Sequence, residues 1–152
     1  MSEAAIAAPP AGNNRHKARC LALQALYQHQ LNGLSLGELL NQFLRGKEMD
    51  RADREYFSRL VGGVMEHEGE LVMAFARYLD RPLTQLDPVE RAVLLIGSFE
   101  LLHCPELPYR AAINEAVQLA KIYGASEGHK YVNGIMDRLA RQARAVELAA
   151  AP

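Results

Sequence analysis

The run from Asp87 to His103, DPVERAVLLIGSFELLH, constrains the fold more than any other part of this chain. Asp87-Pro88-Val89-Glu90 is a clear helix start: a capping carboxylate, proline at the first helical position, and Glu90 three residues after the cap, reaching back as a capping box. Beyond it, Ala92 to Ile96 and Phe99 to Leu102 are apolar on nearly every face. A helix in water tolerates that only when neighbours surround it. This segment is therefore expected as the central helix of a helical assembly.

The rest of the chain supplies the neighbours. Alternating Val/Ile/Thr runs bounded by Asn-Gly or Asp-Gly are absent, and apolar residues recur at three- and four-residue spacing, so the class is all-α. A first helix runs from about Asn14 to Leu31, with Asn13 or Asn14 as cap and Gly33 as stop. A short second one spans Ser35 to Leu44 and ends at Gly46. Asp50, with Asp53 three residues on, caps a third, whose stripe is Phe57, Leu60, Val61 and Val64. That helix either continues through Leu71, Phe75 and Leu79 or breaks at Gly62-Gly63. Arg81-Pro82 ends the run, because proline disfavours helix in the residue before it. Pro105 stops the central helix. Pro108 starts the next, which buries Ile113, Val117 and Ala120 and ends near Gly124. Ser126 caps a last helix with Val132, Ile135, Met136 and Leu139 on its core face. At 152 residues and 49% apolar content, the chain can bury a sizeable core without disulfides or metal. The expectation is two small helical subdomains, about 14–81 and 82–144, packed into one compact domain. A disordered leader (1–13) precedes it and a flexible tail (145–152) follows.

Several function classes lose support at once. No stretch approaches the roughly 20 apolar residues of a membrane span, and the apolar start has two prolines and no basic segment before it, so the chain reads as cytoplasmic. Cys20 and Cys104 lack metal or redox spacing and read as buried reduced thiols. The GxSxG elbow, Walker loop, GxGxxG and HExxH are all read as missing. Glu66-His67-Glu68 with Glu70 is the nearest thing to a metal or acid/base cluster, but consecutive helical residues point in different directions, as on a solvated face. His103 and Cys104 are adjacent and do not face each other. The chain reads as no enzyme, with no cofactor.

The nucleic-acid signal is stronger. Formal charge is nearly balanced, 17 basic against 18 acidic residues, yet both ends are net basic and the middle is acidic. Meeting ends would form a local basic surface, and the acidic body would suit a basic protein. Arg15, His16, Lys17 and Arg19 read as a basic arm that can wrap a phosphate backbone as it orders, or as an ordinary charged helix start. On the last helix Tyr131 lies about 90° from the core direction, with Lys130, Asn133 and Arg138 nearby. Such a ring can stack on an unpaired base while cations hold phosphate, or can simply pack at the core boundary.

The segments RHKARCLALQALYQHQL, DPVERAVLLIGSFELL, PYRAAINEAVQLAKIYG and HKYVNGIMDRLAR, in that order from Arg15 to Arg141, resemble the NusB family of transcription antitermination proteins. The resemblance implies an all-helical fold of two small bundles. It also implies binding of boxA leader RNA together with NusE, a small-subunit ribosomal protein, within an antitermination complex on RNA polymerase at ribosomal RNA operons. It places the family's basic arm on Arg15, His16, Lys17 and Arg19, its RNA-facing turn on Glu127, and the aromatic after a His-Lys pair on Tyr131, beside Lys130. Tyr27 and Glu90 fall at positions associated with RNA or NusE. The residues themselves add that Tyr27 shares its helical direction with Cys20 and Leu23, which predicts a packed ring, and that the capping box uses the Glu90 carboxylate. A helical domain similar to this one is also appended to some ribosomal RNA cytosine methyltransferases. A protein-binding adaptor without RNA activity is the other alternative.

Overall fold

The computed structural model describes residues 13–150, so most of the expected leader (1–12) and residues 151–152 lie outside the described residues. Among the described residues there are eight α-helices, two short 3-10 turns and no strand. The chain forms two compact units that part between Glu66 and His67.

In the first unit, α1 (Asn14–Asn32) packs on α3 (Arg54–Glu66), and α2 (Leu36–Leu44) lies against both. Asn13 caps α1 by accepting from the His16 amide at 2.6 Å, and Gly33 ends it in the left-handed region at φ 71°, a conformation glycine adopts without Cβ strain. Ser35 and Glu38 form a reciprocal capping box on α2. Lys47–Arg51 is a 3-10 turn that takes up Asp50, and Asp53 alone caps α3, accepting from the Tyr56 amide at 2.9 Å. The predicted stripe Phe57, Leu60, Val61 and Val64 is fully buried, with Phe57 stacked on Phe43 at 5.7 Å between centroids. Burial of Val61 and Val64 outweighs the roughly 1 kcal/mol that each glycine costs a helix, so α3 runs straight through Gly62-Gly63.

The chain leaves helical geometry at His67 (ψ 19°), and α4 (Glu68–Ala76) follows. The sequence reading divided the chain at 81/82, where Arg81-Pro82 does interrupt the helices. Leu71 and Phe75 are buried, however, and α4 packs on α5 (Pro88–His103) and α7 (Gly128–Ala143), so it belongs to the second unit. Within that unit α5 is central, as expected: it contacts α4, α6 (Tyr109–Tyr123) and α7, and is buried without a break from Ala92 to Leu101. Closest approach is at Gly97, where a Cβ would sit 2.6 Å from Met136 Cε and 3.3 Å from Ala116 Cβ. That crowding selects small residues on the facing helix. The buried face of α6 is therefore Ala112, Ala116, Leu119 and Ala120, while Ile113 and Val117, expected in the core, are only partly buried.

Where a tail was expected, residues 145–150 form a short helix, α8 (Ala145–Ala150). Its junction with α7 holds the ends of two other helices. Arg144, 9% exposed, donates from Nε to the Leu101 carbonyl at 2.7 Å and from Nη2 to the Glu100 and Cys104 carbonyls at 3.1 and 3.0 Å. Its Nη1 meets Glu147 Oε1 at 2.6 Å, and the second Glu147 oxygen accepts from the Tyr109 amide at 3.0 Å. One ion pair thus closes the carbonyl end of α5 and the amide end of α6, each with the sign of charge its helix end favours. The Tyr109 amide and the Arg144 pairing hold the Glu147 carboxyl below its ordinary range. Its stabilisation is therefore present at neutral pH and lost as pH falls through that lowered value. Arg144→Met should leave the Leu101 carbonyl without its donor, while the Glu100 and Cys104 carbonyls keep the Cys104 and Leu107 amides, and should cost on the order of 1–3 kcal/mol in urea unfolding; an unchanged midpoint would show that water serves the Leu101 carbonyl equally well.

Candidate nucleic-acid interface

The four residues expected as a basic arm form the opening turns of α1. Arg15 is exposed; its guanidinium lies 4.2 Å from the Tyr56 ring centroid and 3.8 Å from Asp53 Oδ2. Arg19 is 3% exposed and lies 5.3 Å from the same ring. The two arginines therefore share one buried tyrosine, and Asp53 holds the segment in place, since its amide also donates to the Asn14 carbonyl at 3.0 Å. His16 and Lys17 are partly buried, with His16 Nε2 at 3.7 Å from Cys20 Sγ. Arg15, His16 and Lys17 are presented on a formed helix, while Arg19 is a cation inside the fold. Tyr27, further along α1, is half-buried, as its alignment with the fully buried Cys20 and Leu23 required.

In the second unit the structure brings the other named residues together at the start of α7. Ser126 is exposed and does not cap this helix; Glu127 occupies the cap position without a side-chain cap bond. Glu127 instead pairs with Lys130 at 2.8 Å, both 71% exposed. The GxSxG spacing read as missing is in fact present at residues 124–128, Gly-Ala-Ser-Glu-Gly, the spacing of a hydrolase nucleophile elbow. Here the motif joins two helices rather than a strand to a helix, which removes the context that chemistry needs.

Glu90 is not the returning half of a capping box. Asp87 caps α5 through the Val89 amide, and the Glu90 side chain lies under α7, its Oε2 at 2.7 Å from where a Cβ on Gly128 would stand. The carboxylate occupies the space that a side chain at Gly128 would take. Burial, then the charge of Asp87, raises the Glu90 pKa above the ordinary carboxyl range, with Arg81 opposing. The sign follows: the folded state holds this proton more readily than the unfolded chain, so the unfavourable term is present above the raised value and is relieved as pH falls.

Tyr131 is half-buried at the edge of the same patch. Its hydroxyl accepts from the Asp80 amide at 3.2 Å, and the Arg81 guanidinium covers one ring face at 4.3 Å from the centroid. Asp80 fixes that guanidinium through contacts of 2.8 and 3.4 Å. Burial, more than any hydrogen bond, raises the tyrosine pKa. Sequence reasoning missed Asp80 and Arg81, having used Arg81-Pro82 only as a helix stop; the one signal was a cation next to a proline that fixes the local backbone. The patch thus combines an aromatic ring backed by a planar cation, an exposed lysine, and two carboxylates of different accessibility. That set suits a base and its phosphate better than a small-molecule reaction.

Comparison with known proteins bears on this arrangement. The model of the NusB family matches residues 16–141. A relative from Ralstonia pickettii, "Transcription antitermination protein NusB", is 49% identical over 146 residues, covering 96% of this chain and 94% of the relative. A solved T. maritima NusB superposes with a TM-score of 0.78 at 30% identity, covering 91% of this chain and 99% of the other. A solved structure of the antitermination factors NusB and NusE in complex with double-stranded RNA gives 0.72 at 26% identity, covering 84% and 96%.

Gly128→Ala provides a local test of the Glu90 geometry. The added methyl should push the carboxylate toward solvent and lower its pKa toward the ordinary value, read from a carbon-detected NMR titration of Glu90. An unchanged titration would mean that Gly128 does not set the burial.

Proposed function

The chain belongs to the NusB family, and from that premise we propose that it is an RNA-binding transcription antitermination factor. It binds boxA leader RNA together with NusE and joins the antitermination complex on RNA polymerase at ribosomal RNA operons. The observation that carries this reading is the near-50% identity, over almost the whole chain, to an antitermination protein. The solved NusB–NusE complex with RNA supplies the partners. No helix among the described residues is long and apolar enough to cross a membrane, which suits work in the cytoplasm, where transcripts emerge.

The mechanism is assembly rather than bond-making. Tyr131 offers a ring edge and its uncovered face to a base, with Arg81 behind it as a fixed cation. Lys130 exchanges Glu127 for a phosphate, and Glu127, once released, accepts from an exocyclic amine. On α1, Arg15, His16 and Lys17 contact the phosphate backbone, and Arg19 supports Arg15 through their shared tyrosine. Tyr27 serves NusE docking, for which an acidic chain middle suits a basic ribosomal protein; Glu90, buried beneath Gly128, acts on docking only by supporting the start of α7.

Fluorescence anisotropy of a labelled boxA-like RNA, across a salt series and with or without NusE, tests the proposal. Affinity should fall steeply with salt, because phosphate contacts release counterions. NusE should tighten binding by about 1–3 kcal/mol, the usual size of coupling between linked sites. Salt-independent binding, or no effect of NusE, would count against the reading. Competition with the same sequence as a duplex separates recognition of unpaired bases from recognition of a double helix.

A sharper expectation concerns Tyr131. Replacing it with alanine should weaken RNA binding by about 1–3 kcal/mol, as loss of a stacking platform does. Tyr131→Phe keeps the ring but leaves the Asp80 amide without its acceptor, so it should lose less. Equal losses in the two variants would assign the residue to anchoring the 80–81 segment instead of stacking.

A further inference from the structure

We propose that His67, Glu70 and His103 form a binding site for one divalent transition-metal ion of the zinc type. In sequence these residues fall into two unpromising fragments, an acidic run around His67 and a histidine beside Cys104. The fold joins them: His67 precedes α4, Glu70 lies one turn into it, and His103 is the last residue of α5. Glu70 Oε1 is 3.4 Å from His67 Nδ1 and 2.9 Å from His103 Nε2, and the three ligand atoms all lie within 4.8 Å of one another. A tetrahedral ion with bonds of about 2.0–2.2 Å holds its donor atoms about 3.3–3.5 Å apart. Two of the three separations are near that spacing already, and rotation of a partly exposed side chain supplies the third.

The surroundings support the same assignment. The two imidazole rings lie 4.3 Å apart and 23° from parallel, and Phe99 stacks on His103 at 5.3 Å, so an apolar wall backs the donors on one side. Glu68, the other carboxylate of that turn, is held by Arg91 at 2.8 Å, which leaves Glu70 as the acid for the ion. Two imidazole nitrogens with one carboxylate oxygen favour Zn2+ and its first-row neighbours over Mg2+ or Ca2+, which prefer all-oxygen shells. Three protein donors leave a fourth position on the exposed side for water or for a donor from another molecule.

The test uses the full chain, stripped of metal and titrated calorimetrically with ZnCl2 and separately with MgCl2. One Zn2+ per chain is expected, with no measurable Mg2+ binding at the same concentrations, and with affinity falling in acid because the ligands must be deprotonated. His67→Ala, Glu70→Gln and His103→Ala should each weaken Zn2+ binding at least about tenfold, since loss of mere supporting partners already costs roughly 10–100-fold. Histidine-side-chain 15N spectra of the unmodified protein give a second readout that no folding defect can confuse. The His67 and His103 rings should shift on Zn2+ addition, and His16, His29 and His129 should not. Absence of stoichiometric Zn2+ binding, unchanged affinity in the folded variants, or shifts confined to the other histidines would overturn the proposal.

Discussion

The burial of α5 on all its faces is the constraint from which the second unit is built. A helix with that composition gains by being surrounded, but its ends then lie where water no longer completes the backbone hydrogen bonds. Arg144 answers at the carbonyl end, and Glu147 carries the same connection to the first amide of α6. The Pro105–Pro108 turn between α5 and α6 therefore rests on a pair of charges from the far end of the chain. At the other end of α5, the Asp87 cap is local, and Glu90 is left to pack under Gly128. The central helix thereby determines both the tail helix and the entry geometry of α7.

What was legible in the sequence was what depends on near neighbours along the chain. The caps of α1 and α5, the stop at Gly33, the stripe of α3 and the central place of α5 are all written in local residue order, and the structure shows each of them. What escaped depends on partners far away in sequence. Ile113 and Val117 are the larger apolar residues of α6, yet the close approach at Gly97 selects its alanines. Residues 145–152 read as a flexible tail because nothing nearby shows that Arg144 and Glu147 have carbonyl and amide partners some 40 residues back. Asp50 and Ser126 looked like caps by residue type, and lost that role to the backbone geometry of Asp53 and Glu127.

The same reasoning revises what charge counting can say. Formal charge treats each cation as available to a polyanion. The fold has already used Arg19 against Tyr56 and Arg144 on helix carbonyls, and has set Arg81 against Tyr131 and Asp80. The basic charge that each end of the chain leaves accessible, with Arg19 and Arg144 taken up inside the fold, is thus smaller than its arithmetic suggested. Arg15 and Lys130, which remain accessible, each stand beside a carboxylate. Such exposed pairs are weak, about 0–1 kcal/mol, so under the proposed function an RNA phosphate would exchange with those carboxylates at little cost.

Arg81 and Tyr131 show why the patch on α7 needs a tyrosine and not merely an aromatic ring. The ring gives the guanidinium a face to lie on, worth about 0.5–1 kcal/mol at an exposed site. The hydroxyl, by accepting from the Asp80 amide, fixes the backbone from which Arg81 extends. Asp80 then holds the guanidinium flat by contacts from both carboxylate oxygens. Each contact is small, but together they remove rotational freedom from an arginine before any ligand arrives, and an unpaired base or phosphate would otherwise bear that ordering cost on binding. A phenylalanine would supply the platform without the anchor, because the hydroxyl is what accepts from the Asp80 amide.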